Sequence, residues 1–178
     1  LVRARLVNLV RSSGHRICVL SAPSGWGKTT LAAQVARDFG DTIYWFELAG
    51  ESLSPAPILD AVSLTTDADE VISPRLPKAR TLLVLDDVRL DLDDFKKVLQ
   101  LQREVGSAWH EVRIVITTRN HLSRDAKRYA ALLDSKDLAI SVEDIRGLPL
   151  LQGEEPKHLE RWRQESGGNF GLFTALRQ

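Results

Sequence analysis

The feature that most constrains this fold is a glycine-containing segment between an apolar run and a helical pattern. Residues Ile17–Ser21 read ICVLS, residues 22–30 read APSGWGKTT, and Lys28–Phe39 carries apolar side chains at helical spacing. The phosphate-binding pattern G-x-x-x-x-G-K-[ST] needs this order of strand, loop and helix. Ala22 replaces its first glycine, whereas the GKT end is intact. The segment therefore predicts a phosphate-binding loop (P-loop).

Each residue type in this loop has a physical reason to be there. Gly25 and Gly27 can adopt positive φ and let backbone N–H groups approach phosphate oxygens. Lys28 supplies a positive charge to the β and γ phosphates, and the Thr29 hydroxyl is a ligand for Mg²⁺. Trp26 either packs on a neighbouring element or stacks on the nucleotide. The predicted nucleotide contacts are Pro23, Ser24, Gly25, Trp26, Gly27, Lys28, Thr29 and Thr30.

A second motif places two carboxylates at the end of an apolar strand. Thr81–Asp86 reads TLLVLD and is followed by Asp87, which is a Walker B pattern. Asp86 would hold Mg²⁺ through water at the carboxyl end of its strand. Asp87 would orient the attacking water, but it is one methylene shorter than Glu, so hydrolysis is expected to be slow. The alternative is that the pair caps the helix predicted over Asp91–Val105 or belongs to a simple loop.

A third strand ends in polar residues. Val112–Thr118 reads VRIVITT and is followed by Arg119. A polar group at this strand end can contact the γ phosphate or the water, and an arginine can pair with the terminal phosphate charge. Arg119 is therefore a candidate sensor of ATP against ADP. The alternative is a solvated arginine at a strand end.

The remaining pattern alternates apolar runs with helical stretches, which predicts an α/β fold with right-handed crossovers. The runs are continuously apolar, as expected for strands of a parallel sheet covered on both faces. The five predicted strands are Ile17–Ser21, Thr42–Phe46, Thr81–Asp86, Val112–Thr118 and Asp137–Ser141.

The helices and the domain division follow from the same pattern. Besides Lys28–Phe39 and Asp91–Val105, a helix is predicted over His121–Asp134. Gly50–Pro77 contains four prolines and is expected to form loops around one or two short helices. Residues 1–141 are predicted to form the core, and residues 142–178 a helical lid or the start of a truncated helical domain. The short tail helices are expected over Val142–Leu150, Glu155–Ser166 and Phe170–Arg177.

Composition excludes several classes of protein. Lys plus Arg number 24 and Asp plus Glu number 24, so the chain is not a strongly basic nucleic-acid module. The single cysteine excludes a disulfide framework. The sequence contains no run of about 18 apolar residues, so no membrane span is predicted. The chain lacks a signal-peptide pattern and contains no methionine. We expect a cytoplasmic domain taken from a longer protein.

Together these strings resemble the ATPase domain of STAND-class signalling NTPases. They are Val2–Leu6 (VRARL), SAPSGWGKTTL, the Tyr44-Trp45 pair, LVLDDV and ITTR. The likeness is greatest to the large MalT-like regulators of the LuxR family, in which alanine is common at the first P-loop position. It covers roughly residues 2–178.

The resemblance implies a P-loop NTPase core of the ASCE type, with a five-stranded parallel sheet flanked by helices and a short C-terminal helical tail. It implies an ATP/ADP-controlled switch that oligomerises on activation. It also implies roles for Lys28, Thr29, Asp86 and Arg119, and an adenine-side contact near Arg3. Gly168-Asn169-Phe170 stands where the family has a Gly-x-Pro that helps close over the adenine, and Phe170 departs from that pattern. We do not expect this chain to bind DNA.

The sequence thus predicts a signalling domain that binds ATP or ADP with Mg²⁺ and hydrolyses ATP slowly. Its predicted catalytic residues are Lys28, Asp86, Asp87 and Arg119, and its metal ligands are Thr29 and Asp86. We expect self-association or partner domains in a longer chain, without direct nucleic-acid or membrane binding. One alternative is a nucleotide-binding scaffold without turnover. The other is a small-molecule phosphotransferase, which the single arginine in Gly50–Pro77 disfavours.

Overall fold

Five parallel strands form one sheet in the order β2-β3-β4-β1-β5. The computed structural model describes residues 3–39, 42–70, 80–108, 111–141, 144–145, 154–169 and 171–172. The strands are β1 (Ile17–Ser21), β2 (Thr42–Glu47), β3 (Arg80–Val88), β4 (Glu111–Thr118) and β5 (Ala131–Leu133). This confirms the predicted parallel α/β sheet, and β4 lies between the P-loop strand β1 and the Walker B strand β3.

Helices cover both faces of this sheet. They are α1 (Ala4–Ser12), α2 (Lys28–Phe39), α3 (Pro55–Glu70), α4 (Leu92–Ala108) and α5 (Pro156–Glu165), with a 3₁₀ helix over Arg124–Arg128. One apolar cluster joins α1 and α2 to the sheet, and a second joins α3 and α4 to its other face. Leu82 and Val84 belong to the first cluster, whereas Leu83 and Leu85 belong to the second. Successive residues of β3 therefore face opposite sides of the sheet and are buried on both sides, which explains why the strand is continuously apolar.

The fifth strand was predicted at the wrong place. It spans Ala131–Leu133 and pairs with β1, whereas Asp137–Ser141 forms no strand. The helix predicted over His121–Asp134 is reduced to the 3₁₀ helix. Side-chain bonds explain the end of β5: Asp134 Oδ1 accepts from the N–H groups of Lys136 and Asp137, and this turn competes with strand pairing.

Other predictions fall partly outside the described residues. Within Gly50–Pro77 the structure has one 16-residue helix, α3, whose first residue is proline, as a first helical turn allows. The predicted helix over Glu155–Ser166 is confirmed as α5. The helices predicted over Val142–Leu150 and Phe170–Arg177 lie largely outside the description. Among the described helices, none has the length and apolar character that crossing a membrane requires.

Candidate functional site

A cleft of about 470 Å³ opens at the carboxyl ends of β1, β3 and β4. The parallel sheet brings these strand ends to one edge, where α/β proteins bind their ligands. All four predicted catalytic residues line the cleft. Its lining consists of Ser24, Gly25, Gly27, Lys28, Thr29, Thr30, Glu47, Asp86, Asp87, Thr117, Arg119 and Gly171.

The loop before α2 has the backbone conformation that its glycines predict. Gly25 has φ +82° and Gly27 has φ +73°, both in the left-handed region that favours glycine. The Lys28 side chain is only 8% exposed, and its Nζ donates a hydrogen bond to the Pro23 carbonyl at 2.8 Å. Burial lowers the pKa of Lys28 from its ordinary value of 10.5, and the neighbouring Arg119 charge lowers that pKa further. The cleft therefore holds a poorly solvated cation, which favours an anionic ligand.

Hydrogen bonds converge on one carboxylate oxygen, Oδ1 of Asp86. The Thr29 hydroxyl donates to it at 3.0 Å, and the Thr117 hydroxyl donates to it as well. Thr117 Oγ1 in turn accepts from the backbone N–H of Asp87 at 2.8 Å. Thr117 is 1% exposed, so its hydroxyl links the two carboxylate residues inside the protein. The sequence pointed to a polar strand end there but did not single out this threonine.

Asp87 holds the most unusual backbone position in the cleft. Its φ is +53°, and its carbonyl accepts from the Gly50 N–H. Its carboxylate accepts two hydrogen bonds from Arg119, from Nε at 3.0 Å and from Nη2 at 2.9 Å. Asp87 does not cap α4, because Asp91 Oδ1 accepts from the N–H groups at the start of that helix. Arg119 is thus paired rather than simply solvated.

The oxygen donors fit a magnesium ion. A threonine hydroxyl and a carboxylate are hard ligands of the kind that Mg²⁺ takes, usually with several waters. Thr29 and Asp86 lie within hydrogen-bond distance of each other beside Lys28, so both would reach one ion. In the described part of the chain, this cleft included, no group of three or more His, Cys, Asp or Glu residues is arranged to hold a metal.

Arg3 and Trp26 lie behind the loop rather than in the cleft. Arg3 is 2% exposed and donates to the carbonyls of Trp26, at 3.3 Å, and Leu138. Burial lowers the pKa of its guanidinium. The Trp26 ring packs against the apolar cluster that contains α1 and α2, as its packing interpretation predicts. Both residues support the loop from outside.

Three further residues of the site were absent from the predicted list. Glu47 ends β2 beside Asp86, while Asn169 and Gly171 come from the segment after α5 and touch the loop. Glu47 follows an apolar run, and this pattern indicates a position at the edge of the sheet where the strands end and the cleft opens. Asn169 and Gly171 follow a Gly-Gly turn, and only the tertiary structure brings them to the loop. Phe170 lies outside the described residues.

Comparison with known proteins gives a family match and a fold match. Residues 9–152 match the family model described as Novel STAND NTPase 3. No curated protein matches the sequence.

Two of the solved structures that resemble this chain are each 18% identical to it, a level that shows a shared fold alone. One is a STAND protein with a tetratricopeptide repeat sensor from Pyrococcus horikoshii, with a TM-score of 0.58 over 96% of this chain and 28% of that one. Another is the RuvB Holliday junction branch migration motor of Thermotoga maritima, with a TM-score of 0.52 over 97% of this chain and 58% of that one. The chain therefore spans less than two thirds of either protein.

The lowered pKa of Lys28 predicts how stability responds to pH. Between the lowered pKa and 10.5 the unfolded chain binds more protons than the folded chain, so the free energy of unfolding rises with pH. Lys28→Met removes this group. We expect the unfolding free energy of the original protein, relative to that of Lys28→Met, to increase from pH 7 toward pH 10.5 in urea titrations without nucleotide.

Lys96→Met is the matched control. The pKa of Lys96 is raised above 10.5 by its hydrogen bond to Asp93, so its contribution stays constant below pH 10.5 and is lost only above it. If the difference in unfolding free energy between the original protein and Lys28→Met does not change over the same pH range, the lowered pKa of the buried Lys28 ammonium is contradicted.

Proposed function

The chain belongs to the Novel STAND NTPase 3 family, and on that premise we propose that it is a Mg-ATP/ADP-binding domain that acts as a nucleotide-controlled switch with slow ATP hydrolysis. One observation carries the proposal. The predicted P-loop lysine and threonine, the Walker B aspartate and the strand-end arginine line a single cleft. In this proposal the cationic side chains of Lys28 and Arg119 contact the phosphates, and the oxygen atoms of Thr29 and Asp86 beside them bind Mg²⁺.

The reaction assigned to this cleft is hydrolysis of the terminal phosphate. A water oxygen attacks the γ phosphorus in line, the bond from that phosphorus to the bridging oxygen breaks, and ADP and phosphate leave. Lys28 and Arg119 offset the charge that develops on the phosphate oxygens. Asp87 positions the water and accepts its proton. Magnesium, held by Thr29 and Asp86, would neutralise charge on the β and γ phosphates.

The Asp87–Arg119 pair supports a switch. Both hydrogen bonds of this pair use the edge of the guanidinium that would also bind a phosphate. A terminal phosphate therefore competes with Asp87 for Arg119, and binding of ATP would release the Asp87 carboxylate toward the water. ADP lacks the γ phosphate and would leave the pair in place.

Titration calorimetry tests the binding. We expect the protein to bind MgADP and MgATP, and Lys28→Ala to weaken MgATP binding about 100-fold, because a buried charge-assisted contact is removed. Lys96→Ala, which changes an exposed lysine on α4, should bind like the original protein. Absence of binding by the original protein, or normal binding by Lys28→Ala, would show that the cleft is not a nucleotide site.

Arg119→Ala tests the sensor in the same titrations. Its affinity for MgATP should fall about tenfold while that for MgADP changes little, because only ATP offers the γ phosphate. Arg128→Ala, which changes an exposed arginine of the 3₁₀ helix, is the control. Equal losses for both nucleotides would contradict a sensor of the terminal phosphate.

Steady-state phosphate release tests turnover and separates the alternatives. Asp87→Ala should lower the rate about 100-fold while MgATP still binds, whereas Asp93→Ala, an exposed acid on α4, should not. Binding without release, in both the original protein and Asp87→Glu, would favour the scaffold without turnover. That alternative has one observation in its favour, the engagement of Asp87 by Arg119. Release without any added acceptor counts against the phosphotransferase.

The domain is proposed to work as part of a longer cytoplasmic regulator. The STAND protein from Pyrococcus horikoshii carries a repeat sensor, and the present chain spans only 28% of it. We assign residues 1–141 to the core and residues 142–178 to the lid or to the start of a helical domain. Light scattering with and without ATP tests the proposed self-association, which an unchanged mass would contradict.

A further inference from the structure

Four consecutive carbonyls of the P-loop each accept a hydrogen bond. Pro23 O accepts from Lys28, within the loop itself. Ser24 O accepts from Asn169 Nδ2 at 3.2 Å, and Gly25 O accepts from the Gly171 N–H at 2.8 Å. Trp26 O accepts from the Arg3 guanidinium at 3.3 Å. Three of the four donors thus come from the two ends of the described chain.

These bonds act on the groups that would bind phosphate. A trans peptide is planar, so its carbonyl and the following N–H point in opposite directions. Hydrogen bonds that hold the Ser24 and Gly25 carbonyls toward the segment after α5 therefore direct the N–H groups of Gly25 and Trp26 away from that segment. Successive inward N–H groups make the concave site that binds an anion. Arg3 does the same for the N–H of Gly27.

The segment that supplies Asn169 and Gly171 is itself held in place. Gly168 has φ +81°, and its carbonyl accepts from the Ile140 N–H at 2.9 Å. A Cβ on Gly168 would lie 2.8 Å from the Ala139 Cβ. The Asn169 Oδ1 accepts from the Leu172 N–H at 2.9 Å, which orients its amide toward the loop. Ser166 at the end of α5 is buried.

The fit between this segment and the loop is close. A Cβ on Gly25 would lie 2.8 Å from Asn169 Oδ1, and a Cβ on Gly171 would lie 3.1 Å from the Gly25 Cα. Backbone therefore packs on backbone where Gly171 meets Gly25. A side chain at either position must displace its neighbour.

We propose that Asn169 and Gly171 are positioning residues for phosphate binding: they hold the Ser24 and Gly25 carbonyls so that the loop N–H groups face the nucleotide. Arg3 completes the set from the other end of the chain. The inference rests on the proposed nucleotide site and adds to it a direct connection between the P-loop and the segment after α5. Movement of that segment would change nucleotide affinity, and nucleotide binding would stabilise its docking.

Calorimetric titration with MgADP tests the inference. Asn169→Ala removes the bond to Ser24, and Gly171→Ala pushes the segment off Gly25, so each should weaken binding about tenfold. Gly14→Ala is the matched control, because nothing lies within 4 Å of a Cβ at that glycine and its φ is not positive. Affinities equal to that of the original protein in both variants would overturn the inference.

A spectroscopic readout separates positioning from general stability. Without nucleotide, the amide NMR signals of Gly25 and Trp26 should shift in Asn169→Ala and Gly171→Ala, while the Gly14 signal and the urea midpoint change little. Unchanged loop signals would overturn the inference, even if the original protein binds no nucleotide and the proposed function fails.

If either variant does not fold, the original protein still gives the answer. The Gly171 N–H should exchange with solvent more slowly than an unstructured amide, and MgADP should slow that exchange further. Exchange at the unstructured rate would overturn the inference.

Discussion

The hydrogen bonds that meet at the Asp86 carboxylate join three elements of the fold. Asp86 follows the apolar run of β3, Thr29 comes from the first turn of α2, and Thr117 comes from β4. A buried carboxylate is unfavourable unless it is hydrogen-bonded, so this set of bonds fixes how β3, β4 and α2 approach one another. The same geometry sets the width of the cleft and leaves the remaining oxygen positions of Asp86 for a metal and its waters. The Thr117 link also holds the Asp87 N–H, so the second carboxylate cannot move independently of the first.

Charge balance inside the cleft explains why it suits a nucleotide. Lys28 and Arg119 face Asp86 and Asp87, and the cationic groups already have protein partners in Pro23 O and the Asp87 carboxylate. Arg119 is 64% exposed, so its pairing is screened by water and contributes little to stability. Arg119 can therefore exchange the Asp87 carboxylate for a phosphate at little cost in free energy. Lys28 is different, because its burial already disfavours the ammonium and an anion would relieve that penalty.

The local sequence pattern was sufficient to predict which residues of the strands and of the P-loop lie at the candidate site. A continuously apolar strand must be covered on both faces, so its polar end is expected at the edge of the sheet, and Asp86, Asp87 and Arg119 do line the cleft there. The prediction of the fifth strand was wrong because Leu138 and Ile140 are as apolar as strand residues. They are buried in the core, and their backbone groups bond to Arg3 and Gly168 rather than to a neighbouring strand. The family resemblance pointed to Gly168-Asn169-Phe170 as a segment that closes over the adenine. It did not indicate that Asn169 and Gly171 bond to the carbonyls of the P-loop, because the sequence records their turn but not the loop on which it packs.

The contacts of Arg3, Asn169 and Gly171 with the P-loop would connect the proposed switch to the rest of the domain. Arg3 bonds to both Trp26 and Leu138, and Gly168 bonds to Ile140, so the loop, the residues after β5 and the segment after α5 form one connected set. Breaking one of the buried bonds leaves a polar group without its partner, so these bonds favour joint docking of the three segments. Rapid turnover would favour a freely accessible water-positioning acid, whereas Asp87, the acid proposed for that role, is short and engaged by Arg119. A restrained acid, together with a loop bonded to Arg3, Asn169 and Gly171, therefore favours the proposed switch, which would keep a nucleotide, over an enzyme that hydrolyses it quickly.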